Sequence, residues 1–221
     1  MRAQIVLFDG FDPLDVVGPY EVLYAGGTAS GGAVTVELVS AEGPRAVVAG
    51  IGGLVLHATA ALDPARADLV LVPGAAGRLE EADADGSGQD ELVHVLLDRA
   101  LATELPALLK AAKDDPDVTL SAVCGGSIIL ALAGLLEGRH ATTHHTGLDV
   151  LAATGVHAVS ARVVDDGDLV TGAGVTSGID LALYLLEREA GPQIAHAVET
   201  LFAHERRGTV WRSQGLAPAT F

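Results

Sequence analysis

Nineteen consecutive residues, Val118–Leu136, carry no charge. As one helix such a run is long enough to cross a bilayer. Its middle argues against that form. Cys124-Gly125-Gly126-Ser127 interrupts the run, with β-favouring Val118, Thr119 and Val123 before it and helix formers Leu130, Ala131 and Leu132 after it. The pattern predicts a buried strand over 118–123, a sharp turn at the cysteine and a buried helix over 127–136. A strand buried on both faces belongs to a sheet covered on both sides, which is the α/β class.

The rest of the chain repeats that alternation. Gln4–Phe8 is a continuous apolar run stopped by Asp9-Gly10, and Phe11–Gly18 reads as a turn-rich bend. Pro19 suits the first position of a helix to about Tyr24, because its missing N–H has no partner there in any case. Val34–Val39 is the next strand, and Ala46–Ala49 with Leu54–Ala58 reads as a hairpin. Asp68–Val72 is a further buried strand, stopped by Pro73-Gly74. A helical pattern covers 91–112, a second hairpin turns at Asp166-Gly167, and helices close the chain over 175–189 and 194–203. The expected architecture is a mainly parallel sheet with helices on both faces. One domain spans 1–221, with a core over about 2–190 and a C-terminal helix and tail over 191–221.

With 13 basic against 29 acidic residues the net charge is −16, which repels phosphate and opposes a nucleic-acid partner. Cys124 is the one cysteine, so no intramolecular disulfide forms, and a reducing, cytoplasmic setting is expected. No basic start followed by an apolar run marks a signal peptide, and no membrane partner is expected.

The chemistry concentrates at Cys124. A residue on a tight strand-to-helix turn projects its side chain into the space above the sheet, and small neighbours keep that space open. A helix start beside the sulfur favours the thiolate, so the thiol is expected to have a lowered pKa. Ligands bind outside the carboxyl ends of strands in such sheets. The segments carrying Asp15, Pro73-Gly74-Ala75 and Cys124 all leave those ends. Asp15, among Leu14, Val16 and Val17, is the candidate proton partner, and apolar surroundings would raise its pKa. Backbone N–H groups around Gly74, Ala75 and Gly125 are candidates for an oxyanion hole and substrate contacts.

Five stretches, Leu14–Leu23, Leu71–Gly74, Ser121–Ser127, Ala133–His144 and Leu169–Asp180, together resemble the ThiJ/PfpI superfamily, and within it the isonitrile hydratases and the similar domain of AraC-type regulators. The resemblance implies a flavodoxin-like fold akin to class I glutamine amidotransferase domains, Cys124 as nucleophile and Asp15 as its carboxylate partner. It implies hydro-lyase chemistry on a small organic isocyanide, no cofactor and a homodimer. Two positions depart from the pattern: Gly125 stands where the family usually has threonine, and Ala75 where it usually has a second glycine. The competing expectations are a ligand- or redox-sensing module without turnover, and another thiol chemistry of glyoxalase or amidase type. Against the regulator reading, no helix-turn-helix pair is expected within the residues to Phe221.

Two further signals carry less. Glu81–Gln89 approaches a calcium-loop pattern with Gly86 at its sixth position, but Leu92 stands where the bidentate glutamate belongs, so it reads as a solvated acidic loop. His140, His144 and His145 suggest a metal, yet the adjacent pair would point oppositely on a strand, and no metal is expected. Thr143 and His144 remain candidate pocket residues. Trp211 lies in a tail that docks either on the body or on a partner subunit.

Overall fold

The computed structural model describes residues 1–79, 91–216 and 219. In chain order its elements are β1 (Arg2–Val6), α1 (Pro13–Ala29), β2 (Thr35–Ser40), the hairpin β3 (Arg45–Val48) and β4 (Val55–Ala58), β5 (Ala60–Ala61) and β6 (Leu69–Val72). Then come α2 (Val93–Leu101), α3 (Leu105–Asp114), β7 (Thr119–Val123), α4 (Gly126–Leu132), β8 (His140–Ala141), α5 (Leu148–Ala153) and β9 (His157–Ala158). The chain closes with β10 (Val163–Asp165), β11 (Leu169–Gly172), α6 (Ser177–Ala190), α7 (Pro192–Phe202) and β12 (Trp211–Arg212).

One sheet runs β12-β10-β11-β7-β6-β1-β2-β5, parallel throughout except where β10 meets β11. Its central strands β2-β1-β6-β7-β11, numbered by their order in the chain, follow 2-1-3-4-5, the flavodoxin-like order. The switch point lies between β1 and β6. Connections leave it in opposite directions, so right-handed crossovers place their helices on opposite faces. Helix α1 packs with α6 and α7, whereas α2 packs with α3 and α4. Burial on both sides explains the unbroken apolar strands: Leu69–Val72 and Ile5-Val6 are fully inaccessible.

Several boundaries differ from expectation for local reasons. The first helix starts at Pro13, not Pro19, because Asp12 caps it: Asp12 Oδ1 accepts from Leu14 N at 2.9 Å. Pro19 therefore sits inside the helix and removes the bond that the Asp15 carbonyl would otherwise accept. Asp15 is a first-turn helix residue, not part of a bend. The helical pattern over 91–112 divides in two, since Pro106 fits only a helix start and Thr103 Oγ1 takes the Leu105 N–H at 3.1 Å. The helix after the cysteine begins at Gly126 and stops at Leu132, short of Leu136. Residues 211–212 of the tail dock on the body, pairing with β10, and Trp211 lies 4.9 Å from the His140 ring.

The possible calcium loop falls outside the described residues. Among the described residues, no helix is long and apolar enough to cross a membrane, and no group of three His, Cys, Asp or Glu is gathered for a metal.

Candidate active site

The carboxyl ends of β1, β6 and β7 bring three segments together at the switch point. Cys124 follows β7 with φ +54°, a left-handed backbone that an L-residue adopts only under constraint. The constraint is visible. Cys124 N donates to the carbonyls of Gly172 (3.1 Å) and Ala173 (2.9 Å), and its own carbonyl accepts from Thr143 Oγ1 at 2.6 Å. Gly126 allows the turn to press against β6: a Cβ there would lie 2.1 Å from the Val72 carbonyl oxygen. Thr143 thus braces the elbow, and it also lines the cavity.

Asp15 reaches the same point from α1 and is completely buried. Its Oδ2 accepts the Gly74 N–H at 2.9 Å, and the Cys124 thiol is its side-chain partner. Oδ1 is buried without a hydrogen bond of ordinary geometry among the described residues. Gly74 therefore takes a different role from the one expected of it. Its N–H is committed to Asp15 and cannot also serve a substrate. A side chain at Gly74 would meet Gly125 N at 2.6 Å and Asp15 Oδ2 at 2.9 Å, so only glycine lets the two loops and the carboxyl meet.

Burial pushes the Asp15 carboxyl up to about 8, and the nearby Asp12 charge adds to the rise; the Gly74 N–H and the thiol pull it part of the way back. Cys124 is also pushed up, first by burial, then by Asp15, against the N–H groups of Gly125 and Val175 that face its sulfur. The expectation of a lowered thiol pKa is therefore corrected. The helix start contributes less than the loss of water, and at neutral pH the resting pair keeps its protons. The two groups are adjacent, and the sulfur opens onto a cavity.

That cavity has a volume of about 480 Å³ and is lined by Cys124, Gly125, Ala75, Thr143, His144 and Val175, with apolar walls from α2, α4 and α5. The Ala75 N–H has no acceptor among the described residues, which leaves it available to a substrate oxygen. His144 and His145 lie at a turn, not on a strand, with ring centroids 4.1 Å apart. His144 Nδ1 accepts from the Thr146 N–H and lies 2.8 Å from Thr146 Oγ1, which leaves the imidazole proton on Nε2. Burial and His145 push its pKa down, so it is a neutral wall of the cavity.

Sequence reasoning missed Val175 and Asp12. Val175 sits in the Leu169–Asp180 stretch and acts through its backbone. Its loop is tied down by Arg162, which donates to the Thr176 carbonyl at 2.9 Å and pairs with buried Asp180, itself 2.8 Å from His204 Nε2. Asp12 was legible only as a turn residue.

Comparison with known proteins places the chain in a family. The model of the DJ-1/PfpI family matches residues 98–188, the part holding Cys124, Thr143 and Val175. Over 200 residues the chain is 35% identical to isonitrile hydratase of Pseudomonas putida, covering 90% of this chain and 76% of that one. The chain belongs to the DJ-1/PfpI family. Its fold matches the crystal structure of a ThiJ/PfpI family protein from Pseudomonas syringae with a TM-score of 0.72, at 26% identity, over 94% of this chain and 76% of that one. The family's range shows in a second relative, the HTH-type transcriptional regulator CdhR of Pseudomonas aeruginosa. It is 39% identical over 101 residues, which is 44% of this chain and 30% of the regulator.

A thiol beside a protonated carboxyl, with backbone donors in a largely apolar cavity, has the groups that adding S–H across a polarised multiple bond requires.

Proposed function

We propose that this DJ-1/PfpI protein hydrates a small organic isocyanide to an N-substituted formamide, with Cys124 as nucleophile and Asp15 as proton relay. The observation that carries the reading is the buried Asp15 carboxyl, with a pKa of about 8, next to the cavity-facing thiol. A carboxyl of that kind gives and takes protons near neutral pH, which a surface aspartate does not. The 35% identity to isonitrile hydratase supports the same reading.

The electron count runs in two halves. The sulfur attacks the terminal isocyanide carbon as the thiol proton passes to Asp15 and the Asp15 proton passes to that carbon. The product of this half is a thioimidate, R–N=CH–S–Cys124. Water then adds across C=N, with Asp15 taking one water proton and returning a proton to nitrogen. The C–S bond breaks, the sulfur recovers its proton and R–NH–CHO leaves. The Gly125 and Val175 N–H groups favour the thiolate as it forms, and the Ala75 N–H meets the oxygen that water brings. No step draws on a metal or an organic cofactor.

The likeness to a transcriptional regulator favours one second reading, a ligand-sensing module that binds without turnover. Assay of a simple alkyl isocyanide with wild type and Cys124→Ala separates the two. Formamide from wild type alone is expected. Formamide made equally by both removes the covalent mechanism, and none from either favours the sensor.

A further inference from the structure

The reaction leaves two carboxylates of the cavity without a task. Asp12 enters the wall from the loop ahead of α1, and Asp98 from the exposed side of α2, one turn after His94. The exposed Asp98 carboxylate makes no hydrogen bond or ion pair among the described residues, and Asp12 spends one oxygen on capping α1. No lysine or arginine among the described residues lines the cavity, and His144, pushed toward its neutral form by burial, adds no positive charge. Thr143, Thr146 and His94 add polar groups, and the rest of the lining is apolar: Ile51, Leu79, Leu97, Ile128, Leu132 and Val150, four of them substantially exposed.

We propose that this site takes small molecules that carry a positive charge, such as an ammonium group, on an apolar body, and turns away carboxylates and phosphates. The proposal rests on the reading that this cavity is where substrate meets Cys124. A low-dielectric cleft holding two like charges concentrates ligands of the opposite sign and repels those of the same sign. The same arrangement bears on the chemistry. Burial does most to raise both Asp15 and Cys124, and Asp12's charge adds to it, so a cation set beside Asp12 offsets one of the smaller contributions that hold the thiol protonated.

The test uses three methanethiosulfonates that modify a thiol by disulfide exchange: a trimethylammonium-ethyl reagent, a neutral methyl reagent and a sulfonatoethyl reagent. In each case Cys124 sulfur bonds to the reagent's thiol sulfur and methanesulfinate leaves. Rates are divided by those for free cysteine, which removes the reagents' intrinsic reactivity. At low salt the wild type is expected to favour cation over anion by about tenfold or more, with the neutral reagent between. High salt and Asp98→Asn should each reduce that ratio several-fold, as should Asp12→Asn, in which asparagine keeps the helix cap. Asp117→Asn, at the opposite end of β7, is the control for the chain's overall negative charge. A ratio near one, a preference for the sulfonate, or an Asp117→Asn effect as large as that of Asp98→Asn overturns the proposal. None of these rates requires isocyanide turnover, so failure of the hydration reading and failure of the charge preference are seen separately.

Discussion

Replacing Asp15 by asparagine removes a titration that the fold has displaced far from its ordinary position. The carboxyl's pKa rises from 3.8 to about 8 on folding. At about 1.4 kcal/mol per unit, ionising it inside the native protein costs about 5 to 6 kcal/mol more than ionising it in the unfolded chain. Between those two pKa values the unfolded chain has lost this proton and the native chain still holds it. The native state binds more protons, so stability falls as pH rises, by up to about 1.4 kcal/mol per pH unit. The contribution is fully present below pH 3.8 and gone above about 8. Cys124, pushed up by burial, keeps its proton across this window and adds no slope of its own. Urea unfolding of wild type and Asp15→Asn at several pH values from about 5 to 8 reads the difference directly. Asp15→Asn should gain on wild type with each step up in pH and level off near 8, while losing turnover at every pH. A stability difference that does not change with pH, or that changes in the opposite sense, would refute the claim that burial sets this carboxyl's pKa.

Further outcomes follow from the same geometry. Turnover of an isocyanide by wild type should decline above about pH 8 as Asp15 ionises, and a flat profile to pH 9 or so would remove its role as acid. Gly126→Ala should destabilise by about 3 kcal/mol or more, since its Cβ falls 2.1 Å from the Val72 carbonyl oxygen; thermal melting checks this. Gly125→Thr, which restores the usual family residue, should fold normally because a Cβ there meets only ordinary contacts from 3.5 Å; a large drop in melting temperature would contradict the packing described. Thr143→Val should cost about 1 to 2 kcal/mol in urea unfolding and slow turnover, by leaving the Cys124 carbonyl without its 2.6 Å donor.

The alternation of apolar runs with helical stretches was enough to read the central strands, because strands buried on both faces have no polar face to confuse with a helix, whereas the two-residue edge strands β5 and β12 are too short to leave a pattern. Cys124-Gly125-Gly126 marked the elbow for a similar reason, as tight backbone approach leaves glycine in the sequence. Position at a strand's carboxyl end and apolar neighbours made Asp15 a candidate partner of Cys124, and the family resemblance singled it out, since nothing local joins residues so distant in the chain. The direction of the thiol pKa was misread for the opposite reason. A helix start is a local feature and easy to see, whereas the burial that outweighs it comes from segments distant in the chain, the Asp15 turn of α1 and the loops that follow β6 and β11. Asp12 looked like an ordinary turn residue because its cap on α1 and its place in the cavity both depend on where Pro13 starts the helix. Gly74 was read as a donor to substrate, and only the folded chain shows that Asp15 already holds its N–H.

The covalent step can be observed directly. Wild-type protein mixed with a simple alkyl isocyanide, quenched in acid within its first turnovers and digested, should carry the intact substrate mass on the peptide holding Cys124, and Asp15→Asn should carry less of it. Formamide accumulating while that peptide stays unmodified, or at an undiminished rate in Cys124→Ala, would contradict the account.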